Sequence, residues 1–583
     1  MYQTLDFTNR KAIIELKNDQ LLNQQVMIVG WVKNIRKLGN FNFIELADKS
    51  GLIQLLDKNN EYSSLSREDL VLIEGNLQLK KVANPNLELG DREVLINKLT
   101  TISKSKTPPF IIEDITDALE DVRLKYRYLD LRRPVLQKNM KFRSDFFLVV
   151  RNFLAKHGFT EIETPILSKT TPEGARDYVV PSRVGPNMFY ALPQSAQIYK
   201  QLLMISGFER YFQISRCFRD EDLRKDRQPE HVQIDMEVSF MSKEQFFDLI
   251  EKMFIHLFDQ LMKIKIEPNF LRMKYDDAMN RYGTDKPDLR FGCELIDVSL
   301  VFVNHDFVVF KQFASKNRLK AIVLDEIMIS SKEHKVLEKY AKDNYAKALS
   351  WFSYENNKIV DGSIKRFITV DDLKKLGLSN KKGTIFFVGD DDLNVINKSL
   401  GAVRSQLNEI YQLANEDEYK FLWIVDWPLY EWDDKTNSYQ SAHNLFTAPD
   451  ERYLKTFNQD KANAKAASYD LVLNGFELGS GAIRITDPSL QKEVMNSLGL
   501  SEAEVNDKFD FLLDAYHYGA PQHCGIGIGS DRLLMILTKS KSIRDVIAFP
   551  KNNQGFDLMN NSPSEVINEQ FLNELYLKVK DNK

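Results

Sequence analysis

Cysteine is scarce in this 583-residue chain: Cys217, Cys293 and Cys524 are the only three, and they are scattered. That spacing excludes a zinc cluster and a disulfide framework. An excess of basic charge is also missing. The net charge is -4, so any nucleic-acid binding rests on local patches rather than an overall field. No apolar run approaches membrane-spanning length, and the first twenty residues lack an apolar signal core, so a soluble, cytoplasmic protein without membrane contact is expected. A Walker-type Gly-Lys-Ser loop is absent, which excludes a P-loop enzyme. GIGIGS at 525–530 fails as a dinucleotide fingerprint. Ser530 stands at its last glycine, and no parallel β-α-β pattern surrounds it.

What is present suits large cores: 43% of residues are hydrophobic and 28% charged. At about 150 residues per domain, the length predicts three or four domains. Residues 1–105 hold about five short β-rich segments closed by turns, the pattern of an OB-fold barrel. Arg36, Phe41, Phe43 and Gln54 are its candidate nucleic-acid contacts. Phe41 and Phe43 share a face, with Ile44 and Leu46 out of phase, so one face suits a core and the other a stacking platform. Phenylalanines buried in a core fit the same pattern. Pro108 and Pro109 open a linker over 106–136 that reads as an exposed hinge helix.

From Leu136 to Gly158 the spacing predicts a helix with Met140, Phe147, Val150 and Leu154 near one stripe, capped by Gly158. The following FTEIETPIL alternates as a strand, but Pro165 confines it to an edge or an interface. Residues 137–289 then carry a predicted antiparallel hairpin, Tyr211 to Phe240. Its second strand places Val232, Ile234, Met236, Val238 and Phe240 on one face and His231, Gln233, Asp235 and Glu237 on the other. Read alone, this is equally a solvent-exposed hairpin with a charged tip. Ser195, Gln197 and Lys200 sit where a loop enters a helix, and an amphipathic helix follows at 243–264.

Residues 290–418 read as a separate α/β insert without a catalytic constellation. In 419–583, His443 is a lone histidine that suits a loop as well as a site. Asp470, Glu477 and Arg484 lie on a predicted hairpin turning at Gly479 to Gly481. The odd spacing of Asp470 and Glu477 allows a shared metal only if a bulge or twist near Gly475 intervenes. Glycines 525, 527 and 529 strip one strand face of side chains, and Arg532 follows in the first turn of a helix. Arg219, Arg532, the two acids and the bare strand suit ATP bound with magnesium.

These residues also carry a resemblance. FRDEDLRKDRQPEHVQID, GIGIGSDRL and the helix-strand ending in Pro165 are similar to the three motifs of class II aminoacyl-tRNA synthetases. TPEGARDY, ALPQSAQIYKQLLM, GFELGSGAIRI and RDVIAFPK resemble, more narrowly, the bacterial-type aspartyl-tRNA synthetases, whose extra domain the insert resembles. The resemblance implies a multidomain α/β (α+β) protein: an OB-fold anticodon-binding domain, an antiparallel-sheet catalytic domain and an inserted α/β domain. It implies a homodimer with Pro165 at the interface, ATP and L-aspartate as substrates, Mg2+ as cofactor and tRNA-Asp as acceptor.

Residue by residue, it implies Arg219 on the α-phosphate and the reacting carboxylate, and Arg532 on the γ-phosphate. ATP would further meet Asp220, Glu221, Gln228, His231, Glu477, Gly529, Ser530 and Asp531. Magnesium would lie on Asp470 and Glu477. Arg484 and Lys200 would grip the side-chain carboxylate of aspartate, with Asp235 orienting Lys200. Glu173, Ser195 and Gln197 would bind its ammonium, and His443 would close over it. Arg36, Phe43, Gln54 and Glu93 would read the anticodon, and Leu38 points to tRNA-Asp alone. Departures from the family pattern are His231 where a Phe stacks on adenine, HNLF in place of HHPF after Ala442, and Ser530 in place of Leu.

Overall fold

The computed structural model describes residues 5–170, 174–565 and 568–580. The chain divides into two compact units, Met1–Lys141 with Ala548–Ser564, and Phe142–Ile547 with Glu565–Lys583.

In the first unit the strands Gln25–Leu38, Phe41–Asp48, Gly51–Asp57, Leu70–Leu79 and Arg92–Ser103 close a barrel, as the β-rich segments predict. Alternation decides what faces inward. Ile44 and Leu46 are fully buried with Ile28, Val32, Ile53 and Val94, whereas Phe41 is 42% exposed. The linker differs from the expectation of an exposed hinge helix. Asp130 is wholly buried and takes Arg123 Nε at 3.0 Å, Arg127 Nη1 at 2.6 Å and Arg133 Nη1 at 2.9 Å. Glu113, Asp114, Glu120, Asp121 and Lys125 are exposed as expected, but Arg127, Asp130 and Arg133 are inward because they satisfy each other, which a solvent-face reading of mixed charge misses.

The second unit is organised on an eight-stranded sheet. Its order is Leu271–Lys274, Phe421–Val425, Ser468–Leu473, Phe476–Ile483, His523–Gly529, Glu230–Ser239, Arg210–Phe218 and Thr160–Glu161. Pairing is antiparallel except at the two outermost pairs. One face buries Ile234, Met236, Val238, Leu471, Ile526 and Ile528 under the helices Pro134–Lys156, Lys243–Met262 and Ser530–Leu537. The alternate residues line a cavity on the other face, so the period of two that builds the core also builds the site.

Three sequence expectations are adjusted here. Phe146, rather than Phe147, is the fully buried ring of its helix, because i, i+4 to Val150 follows the 3.6-residue period more closely than i, i+3. Thr160–Glu161 is an edge strand as Pro165 requires, but only two residues long. Phe240 leaves the core face: φ is +56° there, and the ring is 74% exposed where the chain turns toward the Ser242 helix cap. Gly158, at φ +79°, ends its helix in the left-handed conformation expected of a C-terminal glycine.

Residues 295–389 form their own five-stranded antiparallel sheet. Alternate residues feed two apolar clusters, Ile322, Trp351 and Phe386 on one face and Ala321, Phe352 and Phe387 on the other. Among the described residues no helix is long and apolar enough to cross a membrane.

Candidate active site

One cavity of about 560 Å³ collects most of the expected residues. Ser195, Gln197 and Lys200 reach it from the start of the Gln197–Ile205 helix, and Arg219, Glu221, Gln228, His231 and Asp235 from the Arg210–Ser239 hairpin. His443 enters from a loop, Asp470, Glu477 and Arg484 from the Ser468–Ile483 hairpin, and Gly529, Asp531 and Arg532 from the last strand and its helix. Glu173 lies outside the described residues. Asp220 and Ser530 do not line the cavity. Asp220 faces Arg176 at 3.5 Å, and the Ser530 hydroxyl donates to Val232 O at 2.7 Å. Asp531 accepts from Val232 N at 2.9 Å and from Arg143 at 2.5 Å. Ser530 and Asp531 thus extend by side chain a ladder whose backbone pairing stops at Gly529.

The deep wall is an ionic network that the sequence did not disclose in full. Lys200 Nζ lies 2.7 Å from Asp235 Oδ1 and 3.2 Å from Glu237 Oε2, and Arg484 Nε lies 2.9 Å from Glu237 Oε1. All four side chains are buried. Burial pushes the Glu237 carboxyl up, but Arg484 and then Lys200 overbalance it and hold it at about 2. Burial also raises Asp235, and there Lys200 does not overcome it. Glu237 needs space that only glycine leaves. It pairs across the strands with Gly525, where any Cβ would collide with its carboxylate. The glycine-stripped strand is therefore not wholly a ligand floor: Gly525 is filled by Glu237, while Gly527 and Gly529 face the cavity.

Several buried polar atoms have no hydrogen-bond partner in this wall: Arg484 Nη1, Asp235 Oδ2 and Gln197 Nε2, with Arg219 Nε nearer the hairpin loop. Such groups cost roughly 1–3 kcal/mol each when left unpaired, so their clustering marks a ligand that completes them. Two cation-bearing groups and an amide facing inward fit a small zwitterion carrying an extra carboxylate.

Toward the loop, Arg532 donates to Glu477 O at 2.5 Å and meets Asp226 Oδ2 at 3.2 Å. His231 accepts from Gln233 Nε2 at 3.3 Å. Enclosure of the ring, with Arg219 and Arg532 nearby, pushes its imidazole down to about 3, so it is neutral and flat-faced at physiological pH.

The hairpin turns at Asn474 and Gly475, both left-handed, whereas Gly479 to Gly481, where the turn is expected, lie inside the second strand; the bulge that a shared metal on Asp470 and Glu477 requires is present. The register slips between Leu471 and Val472, with Leu471 opposite Gly479 and Val472 opposite Glu477. Leu478 takes up the extra residue and points into the core, leaving both carboxylates on the cavity. Burial, then the Glu477 charge, raises the Asp470 carboxyl well above its ordinary range. An acid raised by burial and by a neighbouring carboxylate fits Mg2+, which keeps several of its sites for water and phosphate oxygens. Asp470 also accepts from Ser480 Oγ at 2.6 Å.

On the barrel, the expected nucleic-acid contacts fall on one wall. Arg36 is opposite Phe43, Glu45 is opposite Gln54, and Gln54 is opposite Glu93. Gln54 donates to Glu93 at 2.7 Å and Arg36 to Glu45 at 2.8 Å. Leu38 is 68% exposed at the end of its strand.

Glu237 was legible in principle, two residues from Asp235 on the same strand face. Asp285, Trp427 and Glu431 also line the cavity. They come from remote segments with no local motif, so nothing in their spacing marks them.

A family model described as class II tRNA synthetases (D, K and N) matches residues 119–553, and one described as an OB-fold nucleic acid binding domain matches residues 26–102. The chain is similar to the aspartate–tRNA ligase of Malacoplasma penetrans, 46% identical over 581 residues, covering 98% of this chain and 99% of the relative. It is 44% identical to the aspartate–tRNA(Asp/Asn) ligase of Anoxybacillus flavithermus, with 97% of each covered. Among solved structures, aspartyl-tRNA synthetase from Entamoeba histolytica shares the fold at TM-score 0.56 and 19% identity, covering 93% of this chain and 91% of that one. Asparaginyl-tRNA synthetase from Pyrococcus horikoshii does so at 0.58 and 18%, covering 93% and 98%.

Proposed function

The chain belongs to the class II tRNA synthetases of the D, K and N group, and on that footing we propose that it is an aspartate–tRNA ligase. It joins L-aspartate to ATP, releasing pyrophosphate, and then passes the aspartyl group to the 3′ end of tRNA-Asp. The observation that carries the choice among the three amino acids is the Lys200–Glu237–Arg484 network, which leaves Arg484 Nη1 buried and unpaired. A carboxylate pairs it and supplies negative charge to Lys200 and Arg484; the asparagine amide oxygen can accept there but brings no charge, and the ammonium of lysine repels both cations.

In the first step an α-carboxylate oxygen of aspartate bonds to the α-phosphorus of ATP, and the bond to the pyrophosphate oxygen breaks. The nucleophile is already ionised, so no general base is needed, and the residues act by positioning and by charge. Arg219, with its Nε buried and unpaired, binds the α-phosphate and the attacking carboxylate, and Arg532 binds the γ-phosphate. His231 stacks on adenine, and Glu221 and Gln228 contact the nucleotide. Ser195 and Gln197 receive the ammonium together with Glu173, and Asp235 orients Lys200. Asp470 and Glu477 would hold Mg2+, which when bound supplies charge neutralisation to phosphate oxygens. In the second step a terminal ribose hydroxyl of tRNA takes the aspartyl group, and AMP leaves.

The same reading makes 1–105 the anticodon-binding domain, with Arg36, Phe43, Gln54 and Glu93 as its contacts, and 106–136 the hinge. The catalytic domain then comprises 137–289 and 419–583 around an insert at 290–418. A homodimer is supported by the exposed Pro165, Ile166 and Leu167 beside the sheet edge, and the location is cytoplasmic.

Pyrophosphate–ATP exchange tests the reading. Exchange that depends on L-aspartate is expected; exchange driven by asparagine or lysine instead, or none with any of them, overturns it.

A further inference from the structure

The hairpin that carries Asp470 and Glu477 is gripped at its turn by both connections of the insert. The turn residues, Asn474 and Gly475, are left-handed at φ +51° and +84°. On the exit side, the buried side-chain amide of Asn474 accepts from Lys420 N at 2.9 Å and donates to Glu418 O at 2.8 Å. On the entry side, Gly475 lies against Asp288, whose Cβ stands 3.3 Å from where a Cβ on that glycine would be. The Asp288 carboxylate takes Arg290 Nη2 at 2.7 Å, and Arg290 Nη1 reaches across to Asn415 O at 3.4 Å.

The insert itself fixes the entry side. Arg404, 2% exposed on the insert's helix Leu393–Tyr411, donates to Asp288 O at 2.8 Å, Phe291 O at 2.7 Å and Gly292 O at 3.0 Å. A buried guanidinium on three carbonyls holds that backbone to one path, because a shift of any one leaves a charged donor unpaired. The same helix meets the end of the Tyr275–Tyr282 helix, where a Cβ on Gly401 would stand 2.6 Å from Gly283 O. Lys320, on the insert's sheet, pins the same place: Nζ donates to Asn397 Oδ1 at 2.8 Å and to Asn280 O at 2.9 Å. Asp285, between Gly283 and Asp288, lines the cavity.

The register of this hairpin decides which way Glu477 points. The bulge at Leu478 sets Glu477 opposite Val472 and on the cavity; losing it would set Glu477 opposite Leu473, which faces the core. A turn anchored on both sides cannot slide, so the bulge stays where it is. We propose that the insert braces this hairpin, with Asn474 and Arg404 as positioning residues that hold its turn from the exit and entry connections and so fix Asp470 and Glu477 relative to each other for Mg2+. This rests on the aspartate–tRNA ligase reading of the site.

Calorimetry of ATP binding to the full chain, with magnesium and with chelator, gives the metal's contribution as a ratio of dissociation constants. Asn474→Gly keeps the left-handed backbone and removes both side-chain hydrogen bonds, and Arg404→Lys keeps the charge but loses the planar fork that meets the carbonyls. The tightening by magnesium expected of wild type falls about fivefold in Asn474→Gly and about twofold in Arg404→Lys, with ATP binding in chelator unchanged. In exchange assays the magnesium requirement rises in step, while the KM for aspartate at saturating magnesium changes by less than about twofold. A role in folding alone lowers the melting temperature or the active fraction and leaves the ratio where it was. An unchanged ratio in Asn474→Gly overturns the proposal whether or not Arg404→Lys folds. An unchanged ratio in folded Arg404→Lys overturns the part given to the insert. Wild-type protein whose ATP binding ignores magnesium, or without aspartate-dependent exchange, would instead sink the assignment of the site, so the failures are distinct.

Discussion

Glu237 and Gly525 face each other across adjacent strands, and the carboxylate of one occupies the space where the other would carry a Cβ. That single pairing brings the charge of Glu237 between Lys200 and Arg484. The charge balance of the pocket therefore depends on a glycine that does not line it.

Glu237→Gln leaves two buried cations with too little negative charge. A loss of roughly 3–5 kcal/mol is expected, as when one partner of a buried ion pair is removed. Gly525→Ala destabilises through the collision. Urea unfolding measures both. The pH dependence follows from the sign of the shift: Glu237 titrates near 2 in the fold and at 4.5 when free. Its stabilisation is complete above about 4.5 and is lost as pH falls toward 2, and Glu237→Gln lacks that component.

His231→Phe replaces a neutral imidazole by a larger flat ring. The KM for ATP is expected to fall several-fold in steady-state exchange, with the KM for aspartate unchanged. His231 titrates near 3 folded and 6.5 free. The unfolded chain takes up its proton first, so this group costs stability as pH drops below about 6.5, and the phenylalanine variant loses that slope.

Glu477→Gln removes one of the two acids brought together by the bulge. The magnesium concentration for half-maximal exchange is expected to rise tenfold or more, and chelation of magnesium to abolish exchange in both proteins. An unchanged magnesium dependence would reject the assignment.

Phe43→Ala on the barrel wall removes a stacking ring. Affinity for tRNA-Asp is expected to fall by about 1–3 kcal/mol, while tRNA-independent exchange is untouched. Filter binding at fixed salt checks the first and the exchange assay the second.

Much of this architecture can be read from residue spacing. The barrel follows from its turns and alternation, and the Arg210–Ser239 hairpin from the period of two that places Ile234 and Met236 in the core. The bulge between Asp470 and Glu477 was required by their odd spacing and lies at Leu478. What spacing conceals is mutual satisfaction of charge. Asp130 with its arginines, and Glu237 with Lys200 and Arg484, are inward because partners distant in sequence neutralise them, and no local periodicity records such a partner. Phe240 failed for the opposite reason: a left-handed turn ends the strand before its pattern does.

Competition between aspartate and asparagine for attachment to tRNA-Asp tests the clamp most directly. With Lys200 and Arg484 left short of negative charge by the wrong side chain, kcat/KM for aspartate is predicted to exceed that for asparagine by on the order of 10⁴, and Arg484→Leu to abolish aspartate transfer while calorimetry still shows ATP binding. A wild-type ratio near one, or Arg484→Leu with unchanged aspartate kinetics, would contradict the account.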